Sequence, residues 1–476
     1  MLIGRDKERH MLQNAYKSDY SQFVAIYGRR RVGKTFLVRE TFKYKFTFEH
    51  TGMANTKTRE QLRNFQSSLK KAGYTKAAYP HNWIEAFELL EDFLAQSQDK
   101  KKTVFIDELP WMDAPKSGFL NAFEHFWNGW ASARKDILLI VCGSATSWII
   151  NHIVNNYGGL HNRLTCEIAL QPFTLKECLQ LVKSMHIDFN THQLLECYMI
   201  MGGIPYYWSR LQKGMSLAQN IDELFFCENG GLKNEYNSLY RSLFNSPEIY
   251  LKVIETLGKK RMGMTRKEIV QESGVSNNGT LSKVLSDLEY CSFIKKHNAW
   301  GGKTNNALFQ LMDFYTLFYF KFIENNVNND HHFWSNSIDS PMHRAWSGLA
   351  FENVCLMHVP QIKQALGISG ITSIEYTWKS KNKKQLTGEN AKGVQIDLLI
   401  DRNDQVINLC EIKFNKEKFV VDEECYMNLM HKKNVFLQET KTRKSVHLTM
   451  ITVYGIRPNS YANDIQNEIS ATDLLK

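Results

Sequence analysis

The sequence predicts a multidomain α/β chain: a parallel-sheet core around a phosphate-binding loop, then a helical lid, a winged helix and a C-terminal α/β domain. Three observations carry this. A glycine-rich segment, Gly28 to Thr35, stands between an apolar run and a helical pattern. Other short apolar runs recur through the first third, with helical stretches between them. Near the C-terminus, two further apolar runs each carry an isolated carboxylate. At 476 residues the chain exceeds what one core holds, so two to four domains are expected.

Phe23 to Tyr27, Val104 to Ile106 and Ile137 to Cys142 are apolar at nearly every position, as strands buried on both faces must be. A helical pattern such as Trp83 to Ala95 separates them, which is the βαβ signature of a doubly wound domain over residues 1–172. Residues 173–244 turn helical, interrupted by Gly202-Gly203-Ile204-Pro205, and read as a lid. Residues 245–324 carry a helix-turn-helix pattern. Thr265 caps a first helix, Gly274-Val275-Ser276 makes the turn, and Leu281, Val284, Leu285 and Leu288 face inward on a second helix. Phe293 to Lys296 and Ala307 to Phe309 are expected as wing strands. Asn277, Asn278, Thr280, Ser282 and Lys283 are left outward, where DNA would meet them. The polar stretch 325–345 reads as a linker, 346–476 as the C-terminal domain, and Lys379 to Lys384 as a solvated hairpin tip.

Composition excludes several classes. Hydrophobic residues at 43% and charged residues at 23% fit a soluble globular protein. No run approaches the ~20 apolar residues of a membrane span, and the first residues resemble no secretion signal, so a cytoplasmic location is the expectation. Nine cysteines with no Cys-x-x-Cys pair argue against a zinc or disulfide framework. A net charge of +10 is compatible with a nucleic-acid partner.

Gly28-Arg29-Arg30-Arg31-Val32-Gly33-Lys34-Thr35 satisfies G-x-x-x-x-G-K-[ST] in full, the loop of P-loop NTPases. Glycines let the backbone wrap phosphates with its N–H groups inward. Lys34 brings a charge to the outer phosphates, Thr35 offers a hydroxyl to Mg²⁺, and the helix that follows points its positive end at the anion. The loop therefore predicts ATP and Mg²⁺ as cofactors. The apolar strand ending in Asp107-Glu108 supplies the other half: Asp107 for Mg²⁺ and Glu108 as general base toward the attacking water. Ser144, just beyond the third strand, is expected to sense the γ-phosphate or else to cap a helix.

Together with Ile3-Gly4-Arg5-Asp6-Lys7-Glu8, Phe105-Ile106-Asp107-Glu108 and Gly202-Gly203-Ile204-Pro205-Tyr206, the loop resembles the archaeal-type ATPase family, with an entry segment similar to AAA+ and STAND-type ATPases. The resemblance covers about the first half of the chain. It implies an arginine that reaches the γ-phosphate, from within the chain or from a neighbouring subunit, and Arg163 is the expected residue.

Asp397, in Val394 to Ile400, and Glu411 with Lys413, in Val406 to Phe414, stand on two apolar strands joined by a short turn. Glu411 and Lys413 share a face. Paired carboxylates hold a divalent cation, and a lysine beside them stabilises developing negative charge. This resembles the PD-(D/E)XK nuclease fold, with Ile396 where the family name has proline. The resemblance implies Glu352 as the first-helix glutamate, Asp397 and Glu411 as metal ligands, and Lys413 as catalytic. The expected function is an ATP-hydrolysing enzyme coupled to a metal-dependent nuclease-like domain acting on DNA, with DNA and a second copy of the chain as the expected partners and no membrane. The alternative is a nucleotide-dependent switch whose winged helix and C-terminal domain bind partners or nucleic acid without cleaving.

Overall fold

A computed structural model describes residues 2–75, 78–155, 158–244, 246–298, 300–301, 307–380 and 394–476. The hairpin tip expected at Lys379 to Lys384 lies largely outside them. The chain forms two compact units, Met1–Gln171 and Pro172–Lys476.

The first unit is a five-stranded parallel sheet in the order β2-β3-β4-β1-β5. Its strands are β1 (Gln22–Tyr27), β2 (Phe48–Thr51), β3 (Lys102–Asp107), β4 (Ile137–Gly143) and β5 (Cys166–Ala169). β3 and β4 are buried at every position, which is why Val104–Ile106 and Ile137–Cys142 are unbroken apolar runs. Around the sheet lie α1 (Asp6–Lys17), α2 (Lys34–Thr41), α3 (Thr58–Lys71) and α4 (Trp83–Gln96). Asn82 caps α4 through the Glu85 N–H, and α4 buries Trp83, Phe87, Leu90 and Leu94. Those rings meet Phe65 and Phe119, with the Trp83 and Phe119 centroids 4.9 Å apart at 75°. Each such ring removed from water contributes about 2 kcal/mol, so this aromatic layer anchors one face of the sheet.

The second unit begins with two capped helices, Leu175–Ser184 and Thr191–Met201, each opened by a capping box. The second ends at Gly202, whose φ is 57°. Gly203 follows because a Cβ there would stand 1.9 Å from the Phe173 carbonyl oxygen. Farther on, Thr265 caps the helix Arg266–Ser273, Gly274 ends it with φ 68°, and Asn278 caps Gly279–Tyr290. Leu281, Val284, Leu285 and Leu288 are buried as their spacing requires. Strands β6 (Met264–Thr265), β7 (Ile294–His297) and β8 (Leu308–Leu311) pair in the antiparallel order β6-β8-β7 beside these helices.

Residues 325–345, expected as a linker, hold structure of their own. They contain the helix Phe333–Ser337, whose Trp334 is fully buried and whose Trp334 N–H donates to Asp222 over 3.0 Å. Polar residues around one tryptophan disguised an anchored segment. The unit closes on a five-stranded mixed sheet, β13-β12-β11-β10-β9. It comprises β9 (Ser373–Lys379), β10 (Gln395–Arg402), β11 (Val406–Lys413), β12 (Ser445–Thr452) and β13 (Asn467–Ser470). Helix Pro341–Met357 packs its Phe351 on Phe414, the residue after β11, with the rings 5.3 Å apart.

Candidate functional site

β1 delivers the chain into the loop at Tyr27, and the loop then uses backbone that most residues avoid. Gly28 has φ 145°, Arg31 φ 70° and Gly33 φ 92°. A Cβ on Gly28 would lie 2.3 Å from the Leu170 carbonyl oxygen, so glycine is required by space as well as by backbone angle. Lys34 is buried, and its Nζ donates to the Gly28 and Arg29 carbonyls over 2.8 and 3.0 Å. The ammonium therefore sits inside the curl of the loop. Arg5, itself buried, donates through Nη2 to the carbonyls of Val32 (3.3 Å) and Gln171 (2.7 Å), tying the loop's far shoulder to the end of the unit. Of the loop arginines, Arg29 is buried, Arg31 half-buried and Arg30 exposed.

The parallel sheet brings the second half of the site to this loop. Thr35 donates its hydroxyl to Asp107 Oδ2 over 2.8 Å. Asp107 Oδ1 accepts the Glu108 N–H (2.9 Å) and the Cys142 thiol (2.6 Å). Burial, then the Asp107 carboxylate, push the Cys142 thiol well above its ordinary range, so it remains a donor. Glu108 is left-handed, φ 50° and ψ 45°, which turns its side chain back over the strand end. Its Oε2 accepts the Trp111 indole N–H (3.1 Å), the Ser144 N–H (3.0 Å) and the Ser144 hydroxyl (3.0 Å). Ser144 therefore acts first as the holder of Glu108, a role its position at a strand end did not reveal. Trp111 is a partner that the sequence reading missed.

These residues fit a nucleoside triphosphate with a divalent cation. The loop is open where phosphate oxygens would enter, since a Cβ at Gly33 would meet no atom within 4 Å. A buried ammonium faces that space, and a hydroxyl and a carboxylate already lie within bonding distance of each other.

Arg163 is not brought to the loop. It is exposed, and Thr165, two residues on, bonds Phe23 near the start of β1. Gly28 follows the far end of that strand, about 16 Å away at ~3.3 Å per residue.

Residues 2–211 match the family of ATPase domains predominantly from Archaea. That stretch of archaeal-type ATPase domain contains the loop, Asp107, Glu108 and Ser144, and ends before β6. The chain is also 23% identical over 332 residues to an uncharacterised protein of Methanocaldococcus jannaschii, covering 69% of this chain and 70% of that one. Among solved structures it is similar to a Walker-type ATPase of Pyrococcus abyssi, with 16% identity, a TM-score of 0.47, and coverage of 66% of this chain and 95% of that one. It is similar as well to the Aeropyrum pernix ORC2 protein, with 13% identity, a TM-score of 0.42, and coverage of 71% and 96%.

In the second unit, β10 and β11 pair antiparallel with Leu398 opposite Cys410, and that register continued puts Asp397 opposite Glu411. The carboxylates there are met by protein cations. Arg261, from the turn before β6, pairs through Nη2 with Glu352 and with Asp397, the latter over 3.0 Å. Asp397 Oδ1 also accepts the Gln395 amide over 2.6 Å. Glu411 Oε1 pairs with Lys413 (2.9 Å) and its Oε2 with Lys432 (2.7 Å). Burial works to raise the Glu411 carboxyl, but Lys432 and Lys413 outweigh it and hold it below the usual range. Among the described residues, no group of three or more His, Cys, Asp or Glu forms a cation site. The expected metal ligands Asp397 and Glu411 are ion-paired carboxylates in this structure. Glu352 does come to Asp397, through the shared guanidinium. Arg261 and Lys432 were missed, because both reach the cluster only through the fold.

Beside β6, the surface expected to face DNA is partly self-bonded. Arg266 donates to Asn277 Oδ1 (2.7 Å), Ser282 Oγ (2.9 Å) and the Asn278 carbonyl (2.8 Å). Thr280 and Lys283 remain exposed. Among the described residues, no helix is long and apolar enough to cross a membrane.

Proposed function

We propose that this chain is an ATP-hydrolysing enzyme whose winged-helix and nuclease-like modules place that hydrolysis at work on DNA. The observation that carries the ATPase reading is the Thr35–Asp107 bond, which closes the loop and the second strand around one spot beside a buried lysine. Lys34 neutralises the outer phosphates from inside the loop. Thr35 and Asp107 are the residues that would hold Mg²⁺, which spreads phosphate charge during transfer. Glu108 takes a proton from water, and the three donors on its Oε2 fix the carboxylate so that Oε1 is the basic oxygen. Ser144 couples that carboxylate to the end of β4, which is how it senses the γ-phosphate. Arg163 serves a neighbouring copy if it serves any.

A second reading is favoured by Arg261. With Glu352 and Asp397 on one guanidinium and Glu411 between two lysines, the C-terminal module binds nucleic acid or a partner without cutting it, and the chain is a nucleotide-dependent switch. Purified protein incubated with supercoiled plasmid and with oligonucleotides, with or without ATP, in Mg²⁺ or Mn²⁺, separates the two. ATP turnover with metal-dependent cleavage that Asp397→Ala abolishes supports the nuclease. Turnover with intact DNA supports the switch, and no turnover at all overturns both.

A further inference from the structure

We propose that the first unit carries a second binding site, for single-stranded nucleic acid, on the sheet edge opposite the phosphate loop. A cavity of about 720 Å³ opens there, lined by the end of α1, the segment joining α2 to β2, and the start of β3. Ligands of doubly wound sheets enter at the carboxyl ends of the strands. This cavity is at the amino ends, so it is separate from the nucleotide site and does not rest on the nuclease reading.

Charge and aromatic surface coincide in it. Lys17, Lys43, Lys45 and Lys100 line the cavity and are exposed, and among the described residues none of them is in an ion pair. The carboxylate in the lining, Asp99, is occupied by the Thr47 hydroxyl over 2.6 Å. Lys101 is a different kind of lysine: its Nζ donates to the carbonyls of Ser18, Tyr20 and Lys135, so it braces the floor. Tyr16 and Tyr44 line the same space with 43% and 59% of their surface exposed.

The backbone supplies the second observation. Helix α2 ends in a left-handed turn in which the Tyr44 N–H bonds the Arg39 carbonyl over 2.9 Å. Glycine is the ordinary residue for such an end. Here Lys43 and Tyr44 hold it, at φ 53° and 58°, although left-handed backbone is uphill for any residue with a Cβ. The strain presents a charge and a ring at the rim, where a glycine would present neither.

Ammonium groups suit phosphodiesters of any sequence, and exposed tyrosine faces suit unpaired bases, each stacking contributing affinity without reading the base. An acidic peptide would use the lysines and leave the rings idle, so the tyrosines decide for nucleic acid. An open cavity of this volume admits bases splayed from a strand, which a duplex keeps stacked inside.

The test is anisotropy of fluorescein-labelled oligothymidylate with the full chain, across about 50 to 200 mM salt, with polyglutamate as competitor. Lys17→Glu/Lys45→Glu reverses two charges without touching the left-handed turn. Tyr44→Asn removes a ring while keeping a residue that tolerates that turn. We expect the double variant to bind at least tenfold more weakly, and its salt slope to fall by roughly 1.4, at ~0.7 per phosphate contact on a single strand. Tyr44→Asn should bind about fivefold or more weakly, with ATP turnover unchanged in both variants, which certifies the fold. No binding by the wild type, or equal binding by the double variant, overturns the site. Weakened binding in the double variant with Tyr44→Asn unaffected and polyglutamate competing as well as DNA overturns the nucleic-acid assignment in favour of an acidic protein.

Discussion

Removing the Arg261 guanidinium should expose what it neutralises. In Arg261→Ala, Glu352 and Asp397, whose side chains are 15% and 26% exposed, lose their shared cation and face each other bare. Breaking a buried pair from one side costs about 3–5 kcal/mol, and an exposed pair about 0–1 kcal/mol. The arginine side chain is 38% exposed, so water recovers part of the loss and about 2 kcal/mol is expected. For a unit of this size that lowers the melting temperature by about 3 °C. Adding Asp397→Asn removes one of the bare charges and should return about half of the loss. Differential scanning fluorimetry reads all three proteins. A variant that melts with the wild type would show that the guanidinium does not neutralise this pair, and would remove the cluster as described.

Lys34→Ala should abolish ATP binding in calorimetry, because the buried ammonium is the cation inside the loop; unchanged affinity refutes the site. Glu108→Gln should bind ATP yet turn over at least a hundredfold more slowly, general base catalysis being worth about 10²–10⁴; wild-type turnover would show that Glu108 is not the base. Arg163→Ala should leave turnover unchanged in dilute protein, given its place near the start of β1, and a loss there would contradict that place. Burial lowers His50 to about 3 and His358 to about 4, both from 6.5, in the first and second units. These are depressed pKa values, so their contribution to stability is full above pH 6.5 and is lost as pH falls toward 4. His358→Gln should flatten the part of that acid transition belonging to the second unit, and an identical melting-versus-pH curve would show that His358 carries none of it.

The phosphate half was legible because its chemistry is local. A loop of eight consecutive residues wraps one anion, and the strands beside it are buried on both faces, so each residue declares its place. β2 gave no such signal: it is an edge strand of alternating character, and its buried His50 bonds Ser68 through Nδ1 over 2.9 Å. β5, equally short and equally at an edge, was passed over for the same reason. Asp397 and Glu411 were legible as polar residues out of place on apolar strands. Their partners were not, since Arg261 sits in a basic turn and Lys432 on a polar helix, where both look like solvated charge. Nor could sequence show that Ser144 holds Glu108, because that contact depends on Glu108 being left-handed. In residues 325–345 the polar composition hides the burial of Trp334.

Arg5 gives the nucleotide site a reach that no alignment of catalytic groups would suggest. Its guanidinium spans the loop's shoulder and the last residue of the unit, so the fifth residue of the chain is part of the frame around a ligand it does not face. Translation begun at Met11, or a bulky fusion that pulls the first residues away, would leave every phosphate-touching side chain in place and still slacken the loop. Such a polypeptide would read as a catalytic lesion in an assay and as intact in a list of its active residues.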